Sequence, residues 1–136
     1  MATIKRFEDL EAWQKSRDLA REVFKSSNTG SFSKDYKLKD QINSAAGSAM
    51  DNIAEGFGRG GRNEFVNFLS IAAGSIAEVK SQLYRAFDRC YITQDVLTEL
   101  YALADEAGNK TGSLIQYLNR TTVGGQKFKD RTSLKN

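Results

Sequence analysis

The sequence predicts an all-α fold, an antiparallel up-down-up-down four-helix bundle. Three observations carry this. First, no proline occurs in 136 residues, and no stretch alternates apolar and polar residues as a half-buried strand would. Second, apolar residues recur at alternating spacings of three and four along four long segments joined by short links. Third, the tetrapeptide Ala-Ala-Gly-Ser occurs twice, as Ala45 to Ser48 and Ala72 to Ser75, on either side of a glycine-rich break from Gly56 to Gly61. If that break is the turn of a helical hairpin, facing residues have numbers summing to about 120, with Ala45 opposite Ser75 and Ser48 opposite Ala72. Small side chains at such a seam let two helix backbones approach at the near end of the roughly 8–10 Å range.

The first helix is expected over about 9–27. Phe7, Leu10, Trp13, Ala20, Val23 and Phe24 fall near one face, and Asp9 and Glu11 put negative charge at the positive end of the helix dipole. Arg17, Arg21 and Lys25 recur every four residues on another face, interleaved with Asp18 and Glu22. That stripe reads either as a solvated face with local ion pairs or as a face turned to nucleic acid. Residues 26–31 have loop composition. The second helix is expected over about 34–55, with Ser33 as its cap and Leu38, Ile42, Ala45, Ala46, Ala49 and Ile53 as its core stripe.

The third helix is expected over about 62–88, with a stripe of Phe65, Phe68, Leu69, Ala72, Ile76, Val79, Leu83 and Phe87. No charge stands between Asp40 and Asp51 on the second helix, or between Glu64 and Glu78 on the third. A surface helix normally carries a charged back, so these two neutral helices predict a self-association surface. Thr93 is the expected cap of the fourth helix, over about 94–120, with Val96, Leu100, Leu103, Ala107, Leu114 and Leu118 inward. Gly108 and Gly112 interrupt it and suggest either close helix approach or a bend. Residues 1–120 thus form one domain, and 121–136, with Gly124-Gly125, read as a flexible tail.

Charge locates a second feature. Lys and Arg number twenty against seventeen Asp and Glu, but residues 1–120 balance at sixteen of each. The whole excess lies in the tail, where Lys127, Lys129, Arg131 and Lys135 face Asp130 alone. No apolar run reaches the roughly 18–20 residues of a membrane span, and the first residues lack the apolar stretch of a secretory signal. With one cysteine, Cys90, these features favour a cytoplasmic protein that does not contact a membrane.

At Asn52-Ile53-Ala54-Glu55-Gly56, followed by Gly58-Arg59, the chain resembles the bacterial 23S rRNA-intervening-sequence proteins. Phe7 to Leu10 with Trp13-Gln14-Lys15 form a first block of likeness. Gln41-Ile42, Ala45-Ala46 and Ser48 extend the second. Glu64-Phe65, Phe68-Leu69, Gly74-Ser75, Glu78, Gln82-Leu83 and Tyr91-Ile92 make the third. The resemblance spans residues 4–120 and implies an antiparallel four-helix bundle assembling as a homopentameric ring. It also implies a distant relationship to the nucleic-acid-binding accessory protein of diversity-generating retroelements, and no established biochemical activity. The chain departs from the family pattern at Asn43 and Ser44, where a basic residue is common, and at Met50 and Asp51, where proline is common. It departs again at Cys90, where glycine usually precedes the Tyr-Ile pair.

The absence of histidine removes Ser-His and Cys-His nucleophilic sites and the Glu-x-x-His metal pairs of ferritin-like bundles. No catalytic residue, metal or cofactor is therefore expected. Asn52, Glu55, Ser75, Glu78 and Gln82 read either as a buried ligand-binding or acid-base cluster or as helix caps and bonds between helices or subunits, with Ala45, Ser48 and Ala72 as small packing residues of the seam, and the hairpin register keeps Glu55 away from Glu78 and Gln82. Arg59 and Arg62, flanking Gly60-Gly61, read either as part of a plain turn or as phosphate contacts leading into a helix N-terminus. Two functions follow. One is a non-enzymatic oligomeric scaffold that binds nucleic acid, structured RNA first and DNA second, through Arg59, Arg62, the tail cations and the Arg17–Arg21–Lys25 stripe. The other is an adaptor ring for a partner protein, with no nucleic-acid role.

Overall fold

The computed structural model describes residues 4–120. Four helices account for most of them: α1 (Glu11–Ser27), α2 (Tyr36–Arg59), α3 (Arg62–Asp88) and α4 (Gln94–Arg120). Short 3-10 turns, Phe7–Asp9 and Gly30–Lys34, precede α1 and α2. No strand occurs among the described residues.

The first turn has a local cause. The Asp9 carboxylate accepts the backbone N–H groups of Lys5 and Arg6 at 3.0 and 3.2 Å, so Asp9 closes the turn before α1 and lies outside the helix itself. These two donors hold its carboxyl below the ordinary carboxylate range. α1 buries Ala12, Ser16, Leu19, Val23 and Ser27. Phe24, expected inside, is 61% exposed. One step along a helix turns the side chain by about 100°, so a face centred on Leu19 and Val23 leaves Phe24 to solvent.

The start of α2 also differs from expectation. Its N-cap is Asp35, whose carboxylate accepts the Leu38 N–H at 3.1 Å, whereas Ser33 donates its hydroxyl to Gly30 O at 2.6 Å within the preceding turn. At its other end α2 does not stop at Glu55. It continues through Gly56, Phe57 and Gly58 to Arg59, and only Gly60, at φ 81, breaks it. Gly56 is tolerated inside the helix because α3 passes there. A Cβ on Gly56 would lie 2.6 Å from Phe68 Cβ and 3.1 Å from Phe65 Cδ1. The longer helix shifts the hairpin register by about one turn, so Ser75 meets Ser48 instead of Ala45. The two Ala-Ala-Gly-Ser patches still face each other.

Gln41 meets Arg85 and Ser48 meets Ser75 between α2 and α3. Glu11 meets Lys110 and Lys15 meets Glu106 between α1 and α4. Tyr84 meets Tyr101 between α3 and α4. The core divides along the bundle axis. One cluster gathers Leu19, Phe32, Leu38, Ile42, Leu83 and Leu97; the other gathers Ile4, Leu10, Ile53, Phe65, Leu69 and Leu118 at the hairpin end. In α4, Gly108 has only Ile76 Cγ2 near a hypothetical Cβ, at 3.7 Å, and Gly112 has nothing within 4 Å. Neither glycine is required by close packing. Among the described residues no helix is long and apolar enough to cross a membrane.

Candidate nucleic-acid interface

The solvent face of α1 is built from helical spacing alone. Gln14, Arg17, Arg21, Phe24, Lys25 and Asn28 are all exposed, and steps of three or four residues place them in one stripe. Trp13, half-buried, lies one turn before Arg17, whose guanidinium stands 5.6 Å over its ring. Phe7 meets the same ring edge-on at 5.1 Å. The acidic residues of α1 follow a separate line, Glu11–Asp18–Glu22, on the flank turned to α4, where Glu11 and Lys15 form ion pairs with Lys110 and Glu106. Lys25 pairs with Glu22 at 3.3 Å. Among the described residues no carboxylate stands within ion-pair distance of Arg17 or Arg21.

The two arginines of the α2–α3 turn are held differently. Arg59 bonds Glu55 at 2.8 Å, approaches Glu64 at 3.8 Å and lies 5.1 Å over the Phe68 ring. The Glu55 carboxylate is the main cause that raises the Arg59 pKa above its ordinary value. Arg62 donates from Nη1 to Leu118 O at 3.0 Å, a carbonyl in the last described turn of α4. Its Nε is buried without a hydrogen-bond partner among the described residues. Both turn guanidiniums are therefore committed to protein groups. Lys127, Lys129, Arg131 and Lys135 lie outside the described residues.

The polar residues of the matched motifs form a seam between α2 and α3. Ser75 Oγ donates to Ser48 Oγ at 3.0 Å, and Asn52 Nδ2 donates to Ser48 O at 2.8 Å and to Ser48 Oγ at 2.9 Å. Ala45 and Ala72, both buried, let the helices close around this network. Further along, Gln82 Nε2 donates to Glu78 at 3.4 Å and Arg85 donates to Gln41 at 3.2 Å. Gln82 is 4% exposed, and its Oε1 has no partner among the described residues. An open cleft of about 410 Å³ lies over this seam, lined by Gln41, Ser44, Ser48, Ser75 and Glu78 among others. Glu55 sits with Arg59 at the hairpin end and does not join Glu78. Among the described residues no three His, Cys, Asp or Glu side chains gather to hold a metal ion.

Two features at the opposite pole escaped sequence reasoning. The Asp35 carboxylate, besides capping α2, accepts Arg89 Nη1 and the Tyr91 hydroxyl at 2.8 Å each. The Leu38 N–H first, then Tyr91 and Arg89, hold its carboxyl below the ordinary range. Hydrogen bonding to that carboxylate pushes the Tyr91 phenol up. A contact across more than fifty residues has no local signature. The second feature is Cys90, at φ 62 in the left-handed position just past the end of α3. Cys90 N bonds Phe87 O and Tyr91 N bonds Ala86 O, both at 2.9 Å, the paired closure in which glycine is usual. The glycine of the family pattern thus had a backbone cause that the sequence alone did not reveal.

The fold defines a class: a small all-helical bundle of four long helices with a polar seam at a helix–helix contact. The model of the 23S rRNA-intervening sequence protein family matches residues 8–113, and the chain belongs to that family. No curated protein matches the chain.

Proposed function

We propose that this protein is a non-enzymatic oligomeric scaffold that binds nucleic acid, structured RNA foremost. Its four helices run up-down-up-down in antiparallel order, and copies join side by side into a cytoplasmic ring. The observation that carries the nucleic-acid reading is the α1 stripe: Arg17 and Arg21 are exposed and free of carboxylate partners among the described residues, while the turn arginines are engaged. The family match, whose description names ribosomal RNA, supports an RNA-related role. Contacts of this kind are mainly to phosphates and so weaken steeply with salt. The tail cations add to them, and Arg59 adds only its outward edge.

The ring is supported by the outer face of α3. Asn67, Ser70, Ile71, Gly74 and Ala77 are exposed in the single chain and carry no charge, and Ile71 is 53% exposed. That neutral surface equally suits a partner protein, which keeps the adaptor reading as the second proposal. Size-exclusion chromatography with light scattering, read at 260 and 280 nm, tests both. Nucleic acid travelling with a mass several times 15.1 kDa, and stripped by salt, is the expected result. A nucleic-acid-free oligomer that retains a protein partner after nuclease treatment moves the reading to the adaptor. A stable 15.1 kDa monomer at micromolar concentration refutes the ring.

A further inference from the structure

We infer that the outer face of α1 is a stacking platform for unpaired RNA, in which Phe24 and the Trp13–Arg17 pair take nucleobases and Arg21, between them, takes phosphate. The inference rests on the nucleic-acid reading above and names the substrate class of that surface.

The order of groups along the helix is aromatic, cation, cation, aromatic: Trp13, Arg17, Arg21, Phe24. The Arg17 Cζ stands 5.6 Å from the Trp13 ring centroid, and a guanidinium beside an indole offers a base a surface on which to stack. Phe24 is 61% exposed, an apolar ring left in water, whereas Phe32, Phe57 and Phe65 are buried. Arg17 and Phe24 are seven residues apart, about 10 Å along the helix axis, so two bases can engage with the intervening backbone near Arg21.

Electrostatics favour a single strand over a duplex. Residues 1–120 carry no net charge, so the attraction that the bundle itself exerts is local to the stripe. The line of Glu11, Asp18 and Glu22 borders the stripe on the α4 flank and opposes a second phosphate backbone there. Bases inside a duplex cannot offer their faces to Phe24, whereas loops and bulges of a structured RNA can.

Trp13 is the chain's one tryptophan, so its emission reports directly on the platform. The full chain is titrated with oligouridine and with an RNA duplex of equal phosphate count, by fluorescence and by anisotropy. Oligouridine is expected to bind more tightly than the duplex and to quench Trp13. Phe24→Ala is expected to weaken oligouridine about fivefold or more and to leave duplex affinity unchanged, while Phe24→Trp retains the single-strand preference. Arg17→Gln with Arg21→Gln is expected to weaken both RNAs and to lower the salt slope by about one per arginine. Phe24 is a surface residue, so its replacement leaves the fold intact. Parent-like oligouridine affinity in Phe24→Ala, or equal parent affinity for the two RNAs, overturns the platform while leaving phosphate binding in place. Failure of the parent to bind either RNA overturns the broader nucleic-acid reading as well.

Discussion

Gly56 and Gly58 stand two residues apart at the end of α2, and alanine is expected to move stability in opposite directions at the two. At Gly56 the new Cβ would lie 2.6 Å from Phe68 Cβ and 3.1 Å from Phe65 Cδ1. Phe68 Cβ is bonded to the α3 backbone, so no side-chain rotation relieves the clash and the helices must part. Overpacking of this kind costs about 1–3 kcal/mol. Alanine regains about 1 kcal/mol of helix propensity, which leaves Gly56→Ala destabilised by up to about 2 kcal/mol. At Gly58 nothing lies within 4 Å of the new Cβ, so Gly58→Ala keeps the propensity gain, up to about 1 kcal/mol. In a domain of this size about 1 kcal/mol moves Tm by roughly 4 °C. Thermal unfolding followed by circular dichroism, with urea titration for the free energy, should show Gly56→Ala melting below the parent and Gly58→Ala above it. If Gly56→Ala is as stable as the parent, or both variants shift the same way, the close approach of α2 and α3 does not have the role assigned to it.

Three further predictions follow from single positions. Cys90→Gly should raise stability by about 0.5–1 kcal/mol in urea titration, because glycine enters the left-handed conformation without the Cβ penalty; Cys90→Ala, which removes only the thiol, should not. Asp35→Asn should lower Tm at neutral pH by weakening the links to Arg89 and Tyr91. Because the folded carboxyl lies below its unfolded value of 3.8, this stabilisation is present above that value and lost as pH falls through the folded pKa, so parent and variant melting curves should converge in acid. Arg62→Met should cost about 1–2 kcal/mol and speed amide exchange in the last turn of α4, with the salt slope of RNA binding unchanged, since its guanidinium is spent on Leu118 O.

Helix identity was legible because it depends on local spacing. The Ala-Ala-Gly-Ser repeats identified which two helices meet, since small residues at the same height on two helices have an obvious use. The register came out one turn off, because glycine propensity alone cannot say that α2 continues past Gly56. Only the passage of Phe65 and Phe68 explains the glycine there. The candidate site was legible as a stripe of cations and illegible as a surface. Phe24 falls near the apolar face at helical spacing, but the buried face centres on Leu19 and Val23, and one step past Val23 turns its ring to solvent. Similarly, Arg59 and Arg62 looked free beside glycines, whereas their partners are Glu55, Glu64 and Leu118 O. Two of those partners lie within five residues, but the third is fifty-six residues away.

The clasp between Arg62 and Leu118 fixes the end of α4 to the α2–α3 turn, and Ile4 packs into the same hydrophobic cluster as Leu118. Residues 4 and 118 therefore sit at one pole of the bundle, with Cys90 at the other. A bundle whose first and last described residues, 4 and 120, lie on one side is a directional building block. Cyclic symmetry points every copy the same way and gathers all of those ends on a single surface, whereas dihedral symmetry divides them between two. For the ring proposed above, electron microscopy of a bulky fusion at residue 120, showing one crowned face or two, would read the symmetry directly.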